Sequence, residues 1–155
     1  MGKLISIFKR MIAFCKASRN RQRKIVLSPI PLEWQKTISL ANFTIESIHG
    51  FGITSDMFFD VSRQTLLIRL INYRNHAWCE IGWDKRPDMW LNYSLVLQYI
   101  HIPDLTIPDN YEQMINYIFS PENLCTLERV QLIIEQDGFI DLARGIVALQ
   151  RNDWF

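Results

Sequence analysis

Residues 65–83 constrain the fold more than any other part of this chain. Thr65–Tyr73 and Ala77–Trp83 are rich in β-branched and aromatic residues, which suit a pleated, half-buried surface. A turn centred on Arg74-Asn75 predicts an antiparallel hairpin with Leu66 facing Trp83, Ile68 facing Ile81 and Leu70 facing Cys79 on one side. The same register sets Arg69 opposite Glu80 and Ile71 opposite Trp78 on the other side. A slip of one residue would move the apolar set to the wrong face and separate the charged pair. The second face still carries Leu67, Ile71, Tyr73 and Trp78 and is too apolar to be wholly solvated. The simpler expectation is a covering helix. The sharper one is a binding surface with Trp78 as its anchor.

Other segments extend this unit in both directions. Leu32–Ala41 reads as a short helix carrying Trp34 and Ile38. Phe43–Ile48 alternates like a strand and should stop at His49-Gly50, and Met57–Val61 is a further strand ended by Ser62-Arg63-Gln64. After Pro87 the pattern turns helical. Tyr93–His101 fits a helix ending before Pro103, and Asp109 or Asn110 can cap Tyr111–Phe119. Ser120-Pro121-Glu122 supplies a capping hydroxyl, a proline at the first helical position and an acid near the positive end of the dipole. That helix should run to about Gln136 and close at Gly138, whose missing Cβ tolerates a left-handed cap. Phe139–Gln150 forms a last helix, with Phe139, Ala143, Ile146 and Val147 on one stripe. Strands followed by helices predict an α+β fold, with an antiparallel sheet of about three to four strands and a helical C-terminal half.

Charge divides the chain in two. Residues 1–24 hold eight basic and no acidic side chains, and the rest holds nine basic and sixteen acidic ones, so +8 is joined to −7. The arm carries Leu4, Ile5, Ile7, Phe8, Met11, Ile12, Phe14 and Cys15 at near-helical spacing, interrupted by Lys9 and Arg10. That pattern predicts a basic amphipathic helix over roughly residues 3–17. Its apolar run is too short to span a bilayer, and no small-residue cleavage site follows it, which argues against a secretory signal. The start Met1-Gly2-Lys3-Leu4-Ile5-Ser6 also matches the loose myristoylation pattern. Ser28-Pro29-Ile30-Pro31 breaks any helix, so residues 1–27 read as an N-terminal arm and 28–155 as one α+β domain. A chain of 155 residues with 48% hydrophobic and 21% charged content is long enough to bury a sizeable core. Cys15, Cys79 and Cys125 are odd in number and far apart. They fit no disulfide framework and point to a reducing, cytoplasmic compartment.

Catalytic chemistry finds little support. His76 and Cys79 have a metal-like interval but no second pair of ligands, so neither a metal nor another cofactor is expected. Glycines 50 and 52 lack the rest of a phosphate loop, and no nucleophile-elbow pattern is present. Asp56 and Asp60 are four apart beside a strand and could serve a small hydrolase as paired carboxylates, although solvated loop acids are commoner. From Asp88 to Asp141 nine acids face the single base Arg129, a balance of −8. Such one-sidedness favours a basic partner, with Asp109, Glu112, Glu128 and Glu135 as expected contributors.

The opening Leu32-Glu33-Trp34, the Phe59-Asp60 step before the Leu66–Trp83 hairpin and the acidic helical end together resemble the small α+β immunity proteins of bacterial polymorphic-toxin and contact-dependent inhibition systems. The resemblance covers roughly 31–155. It implies a non-enzymatic cytoplasmic protein that binds and neutralises one cognate toxin, such as a basic nuclease, by occlusion. No direct nucleic-acid binding is expected of the body. The alternative is a membrane-peripheral adaptor held at the inner membrane surface, in which Lys3, Phe8, Lys9, Arg10 and Lys16 meet anionic lipid at about 1 kcal/mol per cation.

Overall fold

The computed structural model describes residues 30–50, 56–102 and 106–152. The expected N-terminal helix, with Lys3, Phe8, Lys9, Arg10 and Lys16, lies outside the described residues, as does the boundary between arm and body. A helix, α1 (Leu32–Leu40), leads into five strands: β1 (Thr44–Gly50), β2 (Met57–Arg63), β3 (Leu66–Tyr73), β4 (His76–Trp83) and β5 (Arg86–Asn92). Four helices follow: α2 (Tyr93–Tyr99), α3 (Tyr111–Ile118), α4 (Pro121–Asp137) and α5 (Phe139–Asn152). The strands form one antiparallel meander in the order β1-β2-β3-β4-β5.

The hairpin has the expected register. Leu66 pairs with Trp83, Ile68 with Ile81, Leu70 with Cys79, Arg69 with Glu80 and Ile71 with Trp78. Its turn is the unusual part. Arg74 and Asn75 both take positive φ, 51° and 65°, which suits the right-handed twist of a tight hairpin but strains a residue with a Cβ. Asp56 steadies it, since the Arg74 backbone N–H donates to Asp56 Oδ1 at 2.7 Å.

The expected three to four strands are five. The missed strand is β5, where Pro87 and Asp88 read as the end of sheet structure. Proline is tolerated there because β5 is an edge and needs no ladder donor on its open side. β1 runs through His49 to Gly50 instead of stopping before them, and β2 continues to Arg63. The strand changes direction at Gln64, whose φ is 55°.

One face of the sheet is buried under the helices. Phe59, Val61, Leu66, Ile68, Leu70, Cys79 and Ile81 alternate along β2–β4 and are almost wholly buried. Met114, Ile115 and Ile118 of α3, Leu127, Val130 and Ile134 of α4, and Phe139, Leu142 and Ile146 of α5 close over them. The stripe on α5 is therefore rotated from the expected one, with Leu142 inside and Val147 half exposed. Capping follows the sequence signals. Asn110 accepts the Gln113 N–H, Ser120 accepts the Asn123 N–H beside Pro121, and Gly138 has φ 89°. α2 is shorter than expected, ending at Tyr99, with His101 at φ 61° just beyond it. Within the helical layer, the Tyr93 hydroxyl donates to Asn123 Oδ1 at 2.9 Å, and Asn123 Nδ2 donates to the Ile118 carbonyl at 2.8 Å.

Candidate binding surface

The helices take up one side of the meander, so among the described residues the other side has no second layer. The expected covering helix is not among the described residues, although Ile71 on this side is only 8% exposed. Strand alternation sends every second residue of β2–β4 to this outer face, and the register arranges them in cross-strand rows. His49, Phe58, Ile71 and Trp78 form one row, and Ser47, Asp60, Arg69, Glu80 and Asn92 the next. A third row runs through Ser62, Leu67, Gly82 and Trp90.

Arg69 sits at the centre. Its Nε donates to Asp60 Oδ1 at 2.7 Å and its Nη2 to Asp60 Oδ2 at 2.9 Å, a bidentate pair. The guanidinium carbon lies 3.9 Å from the Trp90 ring centroid and 4.7 Å from that of Phe58. The bond to Asp60 raises the Arg69 pKa, against the opposing effect of burial, and the charge of Glu80 adds to the rise. The cation is thus fixed between two rings and two carboxylates. The expected Arg69–Glu80 pair is a true cross-strand neighbour, yet the direct hydrogen bonds go to β2.

The surroundings are aromatic and acidic. His49 stacks on Phe58 with ring centroids 4.4 Å apart. Ser47 Oγ donates to Asp60 Oδ2 at 3.2 Å, and the Ser62 hydroxyl donates to Glu46. The Trp78 indole N–H reaches Glu80 Oε1 at 3.4 Å, leaving that carboxylate further acceptor capacity toward solvent. Glu46, Asp60 and Glu80 share this face with the Arg69 guanidinium. Large flat rings beside unsaturated carboxylates suit a partner that brings apolar surface and cations.

The five expected contact residues do not form one patch. Trp78 belongs to the outer sheet face, and the four acids lie with the helices. Asp109 accepts the Ala77 N–H at 3.0 Å and pairs with His76 Nδ1 at 3.1 Å, next to the β3–β4 turn. The hydrogen bond to His76, then that from Ala77, holds its carboxyl below the usual range. Glu112 is exposed in the first turn of α3 at the same end. Glu135 accepts from Gln131 and from Thr65, each at 3.0 Å, and both bonds lower its pKa. Glu128 is mostly exposed and stands 3.8 Å from Arg63. Glu128, Leu132 and Glu135 line an open groove of about 630 Å³ together with Arg63 and Gln64. Thr65 and Ala77 mark opposite ends of the sheet, roughly 24 Å apart along β3 at about 3.4 Å per residue. The acids are therefore two pairs, not one cluster.

The candidate catalytic and metal-binding side chains are also kept apart. Asp56 is buried and occupied by the hairpin turn, and Asp60 is occupied by Arg69. Four strand positions separate them by about 13 Å. His76 projects from the outer face of β4 and Cys79 from the inner, so they cannot share an ion. Burial raises the Cys79 thiol far above its ordinary pKa. Among the described residues no three His, Cys, Asp or Glu side chains converge as metal ligands, and no helix is long and apolar enough to cross a membrane.

Sequence reasoning found Trp78 but not its companions. Trp90 was hidden by the missed strand β5. Phe58 and His49 could have been found by extending the period-2 pattern of β1 and β2 across the sheet. No family model matches this chain, and no curated protein or solved structure matches it.

Proposed function

We propose that this chain is a non-enzymatic binding protein of the immunity type, which occludes a cognate toxin with a basic surface. The observation that carries the reading is the outer face of the meander, where Trp78, Trp90, Phe58 and Arg69 stand together. Trp and Arg are the residue types that most often dominate binding energy at protein interfaces. Carboxylates around them, and the acidic α3 and α4 surfaces beyond, would steer a cationic partner toward the face. The test is co-expression with the protein encoded beside this chain. The neighbour should be toxic alone, harmless with this chain, and bound to it in solution. Trp78→Ala and Trp90→Ala should each weaken binding by about 2 kcal/mol or more, near thirtyfold, with unfolding midpoints recorded as controls. A neighbour that is neither toxic nor bound removes the proposal.

The arm supports a second reading, a membrane-peripheral adaptor. Its eight basic residues sit among apolar side chains at helical spacing. Sedimentation with anionic vesicles, lost on Lys9→Glu and Arg10→Glu, would favour it.

A further inference from the structure

We propose that α4 of one chain packs antiparallel on α5 of a second copy, and that a twofold axis reciprocates the contact to give a dimer. The contact is independent of the outer sheet face. It starts from α5, which is apolar on two sides. Phe139, Leu142 and Ile146 face the core, yet Ile140 and Val147 on the other side are 38% and 48% exposed. A helix that only covers a core needs one apolar stripe. Ile140 and Val147 line an open groove of about 570 Å³ with Met89 of β5 and the small side chains of Ala143 and Ala148, and Arg144 and Arg151 supply its cations.

The complement of this groove is on α4. Leu132 is 53% exposed and stands between Glu128 and Glu135 on one helix stripe. The two acids are seven residues apart, as are the two arginines, about 10.5 Å along each helix. With the helices antiparallel and Leu132 opposite Val147, Glu128 comes opposite Arg151 and Glu135 opposite Arg144. A parallel arrangement would set Leu132 against Ala148, with less apolar contact, and would align the two dipoles.

The four charges keep capacity for a partner. Glu128 is mostly exposed at 3.8 Å from Arg63, and Glu135 accepts from Gln131 and Thr65. A carboxylate has about four acceptor positions, so both can take another donor. Arg144 meets Asp141 only at 3.5 Å in an exposed pair, and Arg151 is exposed. The opposite signs select the occupant. A basic partner lying across both helices would be repelled by α5 and an acidic one by α4, whereas a second copy satisfies both. α4 and α5 are joined through Gly138 and pack on each other. A twofold axis can therefore give each copy both halves of the contact.

Sedimentation equilibrium of the full chain should show the 18.4 kDa monomer giving way to a species of twice that mass as concentration rises. The dimer should weaken about tenfold or more as salt approaches 1 M, where the Debye length is about 3 Å. Glu128→Arg with Glu135→Arg, and separately Arg144→Glu with Arg151→Glu, should each leave a monomer, since every cross-pair then joins like charges. Mixed in equal amounts, the two variants should dimerise with each other, because each helix again meets one of opposite sign. That result also shows that both variants fold. If losing the Glu135 bonds to Thr65 and Gln131 unfolds the first variant, Glu128→Arg and Arg151→Glu alone carry the same mixing test. A chain that stays monomeric at every concentration overturns the proposal. So does association that both reversals leave intact, because another surface then carries it. Two folded, monomeric variants that ignore each other when mixed overturn it as well.

Discussion

Trp90 lies so close to Gly82 across the β4–β5 pair that a Cβ built on Gly82 would stand 2.9 Å from the indole ring. The missing side chain is what lets the ring lie flat on the sheet and cover Arg69. Gly82→Ala should push Trp90 outward and cost about 1–2 kcal/mol, as overpacking does. Denaturant unfolding measures the cost, and near-ultraviolet dichroism reports the ring. In a Trp90→Ala background the same substitution should be close to neutral.

Gly145 offers a case in which the sign depends on a neighbour. It sits inside α5, where alanine is worth about 1 kcal/mol more than glycine. A Cβ there would meet the Tyr99 ring at 2.5 Å. Gly145→Ala alone should therefore destabilise the protein, whereas added to Tyr99→Ala it should stabilise by about 0.5–1 kcal/mol. Thermal unfolding of the four-member cycle decides it; additive effects would show that the two sites do not touch.

Asn123 is a buried polar side chain whose two ends are both used, by the Tyr93 hydroxyl and the Ile118 carbonyl. Asn123→Ala leaves both buried groups without that partner and should cost about 1–3 kcal/mol. Tyr93→Phe removes one donor and should cost less. Their combined effect should be smaller than the sum, which equilibrium unfolding in urea can read.

Burial raises the pKa of Tyr93 and of Tyr111 well above the ordinary phenol value. The native chain keeps these protons where the unfolded chain releases them. Their contribution is intact below about pH 10, the unfolded value, and is lost as pH rises from there toward the folded values. The unfolding midpoint should fall above pH 10. Absorbance at the phenolate band should show Tyr93 and Tyr111 ionising only with unfolding, and an early titration of both would contradict their burial.

The sequence disclosed the hairpin and the helix starts because each depends on neighbours in the chain. Leu66, Ile68 and Leu70 need Trp83, Ile81 and Cys79 at fixed spacing, and Ser120 needs only Pro121 and Asn123. It did not disclose β5, since Pro87 is forbidden in a central strand and acceptable at an edge, and position in the sheet is a tertiary property. The candidate face was half legible for the same reason. Trp78 follows from alternation within the hairpin, whereas the Arg69–Asp60 clamp and the Trp90 stack need the strand order. The acids were legible as a charge excess, but not as two pairs at opposite ends of the sheet, because composition carries no geometry.

The Asp56 clasp on the Arg74 N–H bears on how the chain assembles. A tight turn of arginine and asparagine at positive φ lacks the glycine that would let it form cheaply alone. Its fastening comes from a residue 18 positions earlier, at the entrance to β2. The tip of the hairpin therefore gains its full stability only when β2 has joined β3. The three strands should order as one cooperative step in folding, with β2 acting as the latch that makes an isolated β3–β4 hairpin short-lived.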